Sequence, residues 1–222
     1  MIKVVLFDGY GTLFNCSFET LIDLSSAIVR AYNLPMGGEE FLKVWDRHFF
    51  PLLQSEPFIL LREANHRSLE MALADLGKAR EIYGYGHRFS DLLNAAPVYP
   101  EVPEIFARLD GVVRHGILSN ADDENIAGAL LTNNLQVEFV VTSENARSYK
   151  PAPTIFLHAL DRLGCRPEDV LYVGDTPEDD IVGARGVGMR AAWVNRRNVP
   201  YRPDLPEPDY IIEDLRGVLK IL

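Results

Sequence analysis

The chain has 222 residues, enough for one large domain or a core with an insertion, and its 47% hydrophobic and 24% charged content is ordinary for a globular protein. Its net charge of −10 opposes non-specific binding to nucleic acid or to anionic membranes, so we expect neither as a partner. Cys16 and Cys165 have no metal-ligand spacing and cannot build a disulfide framework. No apolar run is long enough to span a bilayer and no signal-peptide n-region precedes the first strand, so we expect a cytoplasmic location.

The first predicted element is a strand at residues 4–7, which runs directly into Asp8 and a glycine-containing turn. A continuous apolar run of this kind is typical of a parallel strand that is covered on both faces. Ligand chemistry in such sheets gathers beyond the carboxyl ends of the strands. A carboxylate at that edge can act as a nucleophile or hold a cation, so Asp8 is the first candidate functional residue.

The chain that follows is predicted to be helical until about Pro97. Apolar residues recur at helical spacing in four segments, at residues 18–29, 41–49, 59–76 and, interrupted by two glycines, 79–93. We expect Pro51 to stop the second helix and Gly77 to cap the third.

From Pro100 onward, strands and helices alternate. Strands are predicted at residues 112–118, 139–142, 170–173, 190–194 and 210–212, and helices from Pro103 and at residues 124–131, 153–163, 178–187 and 215–222. This alternation predicts an α/β fold with a doubly wound, Rossmann-like parallel sheet. The domains are then a core of residues 1–14 and 97–222 and an inserted all-helical cap of residues 15–96.

Polar residues mark the ends of several of these elements. They are Asp8, Tyr10 and Thr12 after the first strand, Ser119 and Asn120 after an apolar run, Lys150 before a proline, and Asp175, Asp179 and Asp180 after a further strand. In this order they resemble the four motifs of the haloacid dehalogenase superfamily, and the resemblance spans residues 2–212. The helical segment is similar to the C1 caps of that superfamily, which usually carry substrate specificity.

The resemblance implies a Mg²⁺-dependent phosphatase in which Asp8 attacks phosphorus and forms an aspartyl phosphate. Asp8, Asp175 and the backbone carbonyl of Tyr10 would hold the metal, a ligand set that suits Mg²⁺. The phosphoryl oxygens would be bound by Thr12, Ser119, Asn120 and Lys150. Asp180, or Asp179 in its place, would support Lys150 or a metal-bound water.

Tyr10 departs from the phosphatase pattern, in which the first motif is usually Asp-x-Asp-Gly-Thr. The missing second aspartate would protonate the leaving oxygen and later activate water, a contribution worth about 10²–10⁴ in rate. Tyrosine, with a reference pKa near about 10, is a poor base at neutral pH. The substitution predicts a weak phosphatase, a preference for good leaving groups, or a different reaction.

A 2-haloacid dehalogenase is the second hypothesis, because its family members commonly carry Asp-x-Tyr-Gly-Thr and use the same aspartate without a metal. The pairs Ser119-Asn120 and Tyr149-Lys150 also suit it. Other positions depart from it: Trp45 is followed by Asp46 instead of an arginine, Asp175 and Pro177 replace a serine and an asparagine, and Phe156 replaces a tyrosine. An additional carboxylate would repel a haloacid, so we favour the phosphatase.

The third hypothesis is a phosphate-binding protein that lost turnover together with its acid–base residue. In the first two, the partner is a small anionic metabolite, which the cap arginines Arg47, Arg62 and Arg67 could reach. The net negative charge does not oppose such a substrate, because a bound divalent cation reverses the field locally.

Overall fold

The computed structural model describes residues 1–16, 18–78 and 85–222. The chain divides into two compact units, one formed by Met1–Asn15 with Pro97–Leu222 and the other by Cys16–Ala96. The first is an α/β unit, and the described part of the second is helical. Among these described residues, no helix is both long and apolar enough to cross a membrane.

The helical unit packs around its own hydrophobic core. Phe41, Trp45 and Leu73 are among the buried residues of that core, each at a position that the helical periodicity predicts to face inward. The helices are α1 (Phe18–Tyr32), α2 (Gly38–Leu53), α3 (Leu61–Asp75) and α4 (Tyr85–Asn94).

Pro51 does not stop the second helix, because α2 continues to Leu53. Proline breaks helix interiors by removing an amide hydrogen and by crowding the preceding turn. Here it removes one amide hydrogen bond, and only two more residues follow before α2 ends. Gly77 follows α3 with a φ of +70°, as expected of a capping glycine. Of the predicted fourth helix, residues 79–84 lie outside the described residues.

The α/β unit is built on a parallel sheet with the strand order β3-β2-β1-β4-β5-β6, which confirms the predicted fold class. The central strand β1 has all four residues fully buried, as a strand covered on both faces requires. The chain first adds strands on one side of β1 and then on the other, so the strand order reverses beside β1. The strands are β1 (Val4–Phe7), β2 (Arg114–Ser119), β3 (Phe139–Thr142), β4 (Val170–Gly174), β5 (Arg190–Val194) and β6 (Tyr210–Ile212).

The connections between these strands contain α5 (Val102–Leu109), α6 (Asp123–Thr132), α7 (Ser143–Ala146), α8 (Pro153–Leu163) and α9 (Val182–Gly186). The predicted helix at residues 178–187 is instead a π-helical turn, Pro177–Ile181, followed by α9. The predicted last helix is a 3₁₀ helix, Leu215–Lys220. Its two buried residues, Leu215 and Val218, are three positions apart and match the three-residue repeat of that helix.

The two points where the chain leaves and re-enters the α/β unit lie side by side. The Asn15 amide donates to the Pro97 carbonyl at 2.7 Å, and the Tyr99 amide donates to the Leu13 carbonyl at 3.0 Å. These hydrogen bonds belong entirely to the α/β unit. They hold the outgoing and returning segments together next to the turn that follows β1.

Candidate active site

The carboxyl ends of three neighbouring strands bring the predicted motifs together. Asp8 follows β1 directly, Ser119 is the last residue of β2, and Asp175 follows β4. Phe7 pairs with Ile117 and with Val173, so these strand ends lie at the same level of the sheet. The site is therefore at the edge where the strand order reverses.

Asp8 is buried, and one of its carboxylate oxygens accepts two hydrogen bonds. The Lys150 ammonium lies 2.6 Å from Asp8 Oδ1, and the Ser119 hydroxyl donates to the same oxygen at 2.9 Å. Both side chains of the ion pair are almost fully buried, with 4% of Lys150 and 7% of Asp8 exposed. Such charge-assisted bonds fix the orientation of the carboxylate.

Asn120 holds the main chain of Lys150. Its Oδ1 accepts from the Lys150 amide at 2.7 Å, and its Nδ2 donates to the Lys150 carbonyl at 3.3 Å. Both polar atoms of the amide side chain are thus engaged with the residue that carries the ammonium. The prediction that Asn120 contacts a phosphoryl group stays a prediction, and the observed contacts position Lys150.

Asp180 forms the second ion pair of Lys150. Its Oδ1 lies 2.6 Å from the ammonium, and its Oδ2 accepts from the Thr176 amide at 2.9 Å. The π-helical turn places Asp180 in the interior and leaves Asp179 half-buried, so Asp180 is the one that contacts Lys150. A Cβ at Gly174 would lie 2.3 Å from the Asp180 Cγ, so the end of β4 needs glycine to admit this carboxylate.

Asp175 lies against the turn after β1. The Thr12 hydroxyl donates to Asp175 Oδ1 at 3.4 Å, and the Trp193 indole donates to the Asp175 carbonyl at 2.9 Å. Gly11 has a φ of +97°, and a Cβ there would lie 2.5 Å from Asp175 Oδ2. Glycine is therefore required at this position both by the backbone conformation and by the close approach of the carboxylate.

One carboxylate oxygen from each of Asp8, Asp175 and Asp180 lies within 4.8 Å of the others. Burial, and then the charges of Asp8 and Asp180, raise the pKa of Asp175 to about 8. Burial also raises the pKa of Asp179 to about 7. It raises the pKa of Asp8 as well, against the opposing effect of the Lys150 charge. Burial lowers the pKa of Lys150, but Asp180 and Asp8 raise it well above its ordinary value. The cluster thus holds more carboxylates than its one ammonium neutralises.

The remaining predicted residues are Tyr10, in the turn after β1, and the cap arginines of the helical unit. The Tyr10 ring packs against Phe14 at a centroid distance of 5.5 Å. Arg47, Arg62 and Arg67 are exposed residues of the helical unit, and Arg67 forms an ion pair with Glu63.

A family model for haloacid dehalogenase-like hydrolases matches residues 2–188. The chain belongs to this family. Among its relatives, the phosphoserine phosphatase of Thermus thermophilus is 36% identical over 82% of this chain and 74% of that protein. The (S)-2-haloacid dehalogenase 1 of a Pseudomonas species is 27% identical over 90% of this chain and 87% of that protein.

The fold of this haloacid dehalogenase-like hydrolase also matches solved structures. The L-2-haloacid dehalogenase RSc1362 superposes with a TM-score of 0.83 at 22% identity, covering 99% of this chain and 98% of that chain. The protein is therefore a hydrolase with the family's α/β core. Its relatives include phosphatases and a dehalogenase, so the bond that is broken differs within the family.

Three residues of the hydrolase's site carry no motif signal. Tyr172 and Trp193 lie in apolar strands, where large aromatic residues are interpreted as core, and their polar atoms bind Lys150 and the Asp175 carbonyl. Arg196 donates from Nη2 to the Thr12 carbonyl at 2.8 Å and pairs with a glutamate. For Tyr172 and Trp193, the sequence offers the general rule that a buried tyrosine or tryptophan finds a hydrogen-bonding partner for its polar atom.

Proposed function

We propose that the protein is a Mg²⁺-dependent phosphatase that acts on a small phosphorylated metabolite through an aspartyl phosphate. The observation that carries the proposal is the position of Asp175, whose carboxylate joins those of Asp8 and Asp180 within 4.8 Å. A dehalogenase that works without a metal has no use for this additional buried carboxyl group next to an anionic substrate. A phosphatase does, because a cation held there screens the phosphoryl group.

The residues present fit a magnesium ion. Hard carboxylate oxygens are the ligands that Mg²⁺ prefers, and it usually takes one or two of them together with waters and substrate phosphate. Asp8 and Asp175, with the backbone carbonyl of Tyr10, would hold it. Asp180 would serve Lys150 instead, because the ammonium binds its Oδ1 and the Thr176 amide binds its Oδ2. The bound ion would neutralise charge on the phosphoryl oxygens.

The chain's own residues would carry the chemistry. An oxygen of Asp8 forms a bond to phosphorus while the bond from phosphorus to the leaving oxygen breaks, and water then hydrolyses the aspartyl phosphate to inorganic phosphate. Lys150 and Ser119 favour the ionised form of Asp8 and orient its carboxylate through their bonds to Oδ1. The positive charge of Lys150 would stabilise the phosphoryl oxygens, whose charge grows in the transition state. Ser119 and Thr12 would bind these oxygens by turning their hydroxyl hydrogens from Asp8 and Asp175 to the substrate.

A 2-haloacid dehalogenase is the second candidate, and Tyr10 is the observation that favours it. In that reaction Asp8 would displace halide from carbon and form an ester, which water then opens. The pair Asp8–Lys150 serves this reaction equally well. We rank it second because a reaction without a metal gives the buried Asp175 carboxyl no role, and in its ionised form that group would repel the carboxylate of a haloacid.

Hydrolysis of p-nitrophenyl phosphate and chloride release from 2-chloropropionate distinguish the two. We expect Mg²⁺-dependent hydrolysis of the phosphate ester that Asp175→Asn abolishes, while Asp161→Asn, on the exposed face of α8, changes it little. Asp8→Asn should remove turnover in either case, since an amide cannot supply the nucleophile. Chloride release that is unaffected by EDTA would instead establish the dehalogenase.

We also propose that the reaction takes place in the cytoplasm. Cys16 and Cys165 are both free thiols, which suits a reducing compartment. Fractionation of the source cells, with the protein followed by antibody, would test this location.

A further inference from the structure

Tyr172 is a fully buried residue in the middle of β4 whose hydroxyl reaches the active site. Its ring packs edge-on against Phe156 at a centroid distance of 5.3 Å. The hydroxyl lies 3.0 Å from the Lys150 Nζ. A tyrosine in an apolar strand is ordinarily a packing residue, but this one meets the ammonium that faces the nucleophile.

The Lys150 ammonium uses all three of its hydrogens on protein acceptors. Asp8 Oδ1 and Asp180 Oδ1 each lie 2.6 Å from Nζ, and the Tyr172 oxygen is the third acceptor. A lysine ammonium has three donors and a freely rotating terminal bond. Three acceptors in fixed directions stop that rotation and set the position of the nitrogen.

The Tyr172 hydroxyl is itself fixed. It lies 3.0 Å from the Leu118 carbonyl and 2.9 Å from Asp180 Oδ1. Since it accepts from Lys150, its one hydrogen is donated to one of these two oxygens. Leu118 precedes Ser119, the other donor to Asp8, so Tyr172 links β4, the end of β2 and the ammonium.

We propose that Tyr172 is a positioning residue for Lys150, which it holds between Asp8 and Asp180. The inference rests on the proposed function, in which Asp8 attacks phosphorus and Lys150 faces the developing charge. Tyr172 transfers no proton: as the bond from Asp8 to phosphorus forms and the bond to the leaving oxygen breaks, its hydroxyl remains a hydrogen-bonding partner. Without it, the ammonium is free to turn toward Asp180 and away from the nucleophile.

The test is Tyr172→Phe, which removes the hydroxyl and keeps the ring packing on Phe156. With p-nitrophenyl phosphate and Mg²⁺, we expect kcat to fall by about 10- to 100-fold, the effect of losing one charge-assisted hydrogen bond, while KM changes less than about twofold. The matched control is Tyr201→Phe, which loses a hydroxyl bonded to the Pro206 carbonyl at 2.6 Å and should keep wild-type kinetics.

A double-mutant cycle with Lys150→Met separates positioning from a structural role. If Tyr172 acts through Lys150, the substitution Tyr172→Phe should lower kcat no further once the ammonium is absent. An additive loss in the double variant, or a Tyr172→Phe enzyme with unchanged kcat, would overturn the proposal.

A nuclear magnetic resonance measurement keeps this test separate from the proposed function. In protein with ¹⁵N-labelled lysine, we expect one slowly exchanging ammonium signal that Lys150→Met removes. In Tyr172→Phe, hydrogen exchange at this signal should become faster, and an unchanged exchange rate would refute the positioning role. If the wild type released chloride instead of phosphate, the proposed function would fail, while the cycle could still be measured on that reaction.

Discussion

The raised pKa of Asp175 predicts that Mg²⁺ and a proton compete for the same carboxylate. With a pKa of about 8, Asp175 is about 1% ionised at pH 6 and about half ionised at pH 8. An ion that requires the carboxylate should therefore bind about 50 times more tightly at pH 8 than at pH 6. Calorimetric titration with MgCl₂ at pH 6, 7 and 8 measures this ratio, and the released protons appear in the buffer dependence of the heat.

The stability of the metal-free protein should change in the opposite direction. The folded state holds the Asp175 proton up to about pH 8, whereas an unfolded carboxyl loses it near its ordinary value of 3.8. The folded state then binds more protons between these limits, so the free energy of unfolding falls as pH rises, by at most about 1.4 kcal/mol per pH unit. Asp179, with a pKa raised to about 7, acts in the same direction.

Asp175→Asn is the control for both measurements, because an amide keeps the shape and cannot titrate. It should bind Mg²⁺ weakly at every pH and show a shallower pH dependence of unfolding. Equal Mg²⁺ affinities at pH 6 and pH 8 in the wild type would refute the reasoning. So would a metal-free protein that becomes more stable as pH rises from 6 to 8.

Three further substitutions address the turn after β1 and the support of Asp175. Gly11→Ala should lower the free energy of unfolding by about 1–3 kcal/mol in urea titrations, because the new Cβ meets Asp175 at a positive φ, whereas Gly186→Ala, with open space around it, should not. Tyr10→Asp should raise the release of phosphate from glycerol phosphate at least about tenfold, because it restores the acid–base group, and unchanged release would indicate that Tyr10 has a role of its own. Trp193→Phe removes the hydrogen bond to the Asp175 carbonyl, so it should lower the free energy of unfolding by about 1 kcal/mol in thermal melts and weaken Mg²⁺ binding in calorimetry. An unaltered Mg²⁺ affinity would show that this contact does not position the carboxylate.

The strands were predictable from sequence because their signal is local. The run Val4–Phe7 is apolar at every position, and the structure reproduces its predicted range. The predicted ranges of Phe139–Thr142, Arg190–Val194 and Tyr210–Ile212 are also reproduced, whereas the strand predicted at residues 112–118 is Arg114–Ser119. The position of Asp8 follows from the end of β1. To predict that the strands are parallel, their alternation with helices was needed as well.

Other features depend on contacts that a linear pattern does not contain. The π-helical turn at Pro177–Ile181 lets Asp180 reach Lys150, and no periodicity distinguishes Asp180 from its neighbour Asp179. The helix α7 was missed because it has four residues and depends on a capping box between Thr142 and Asn145. Tyr172 could not be recognised from sequence, because its hydroxyl contacts Lys150 only when β4 and the loop that carries Lys150 are folded together.

The adjacent hydrogen bonds that join Asn15 to Pro97 and Leu13 to Tyr99 make the helical segment a single insertion into an otherwise continuous architecture. No strand of the sheet is contributed by residues 16–96 in the described part of the chain. A short peptide bridge could therefore replace the whole segment without stretching the remaining chain. Insertions with neighbouring ends are the ones that domains tolerate best. The α/β core, which carries the catalytic groups, and the helical insert can thus diverge independently in sequence.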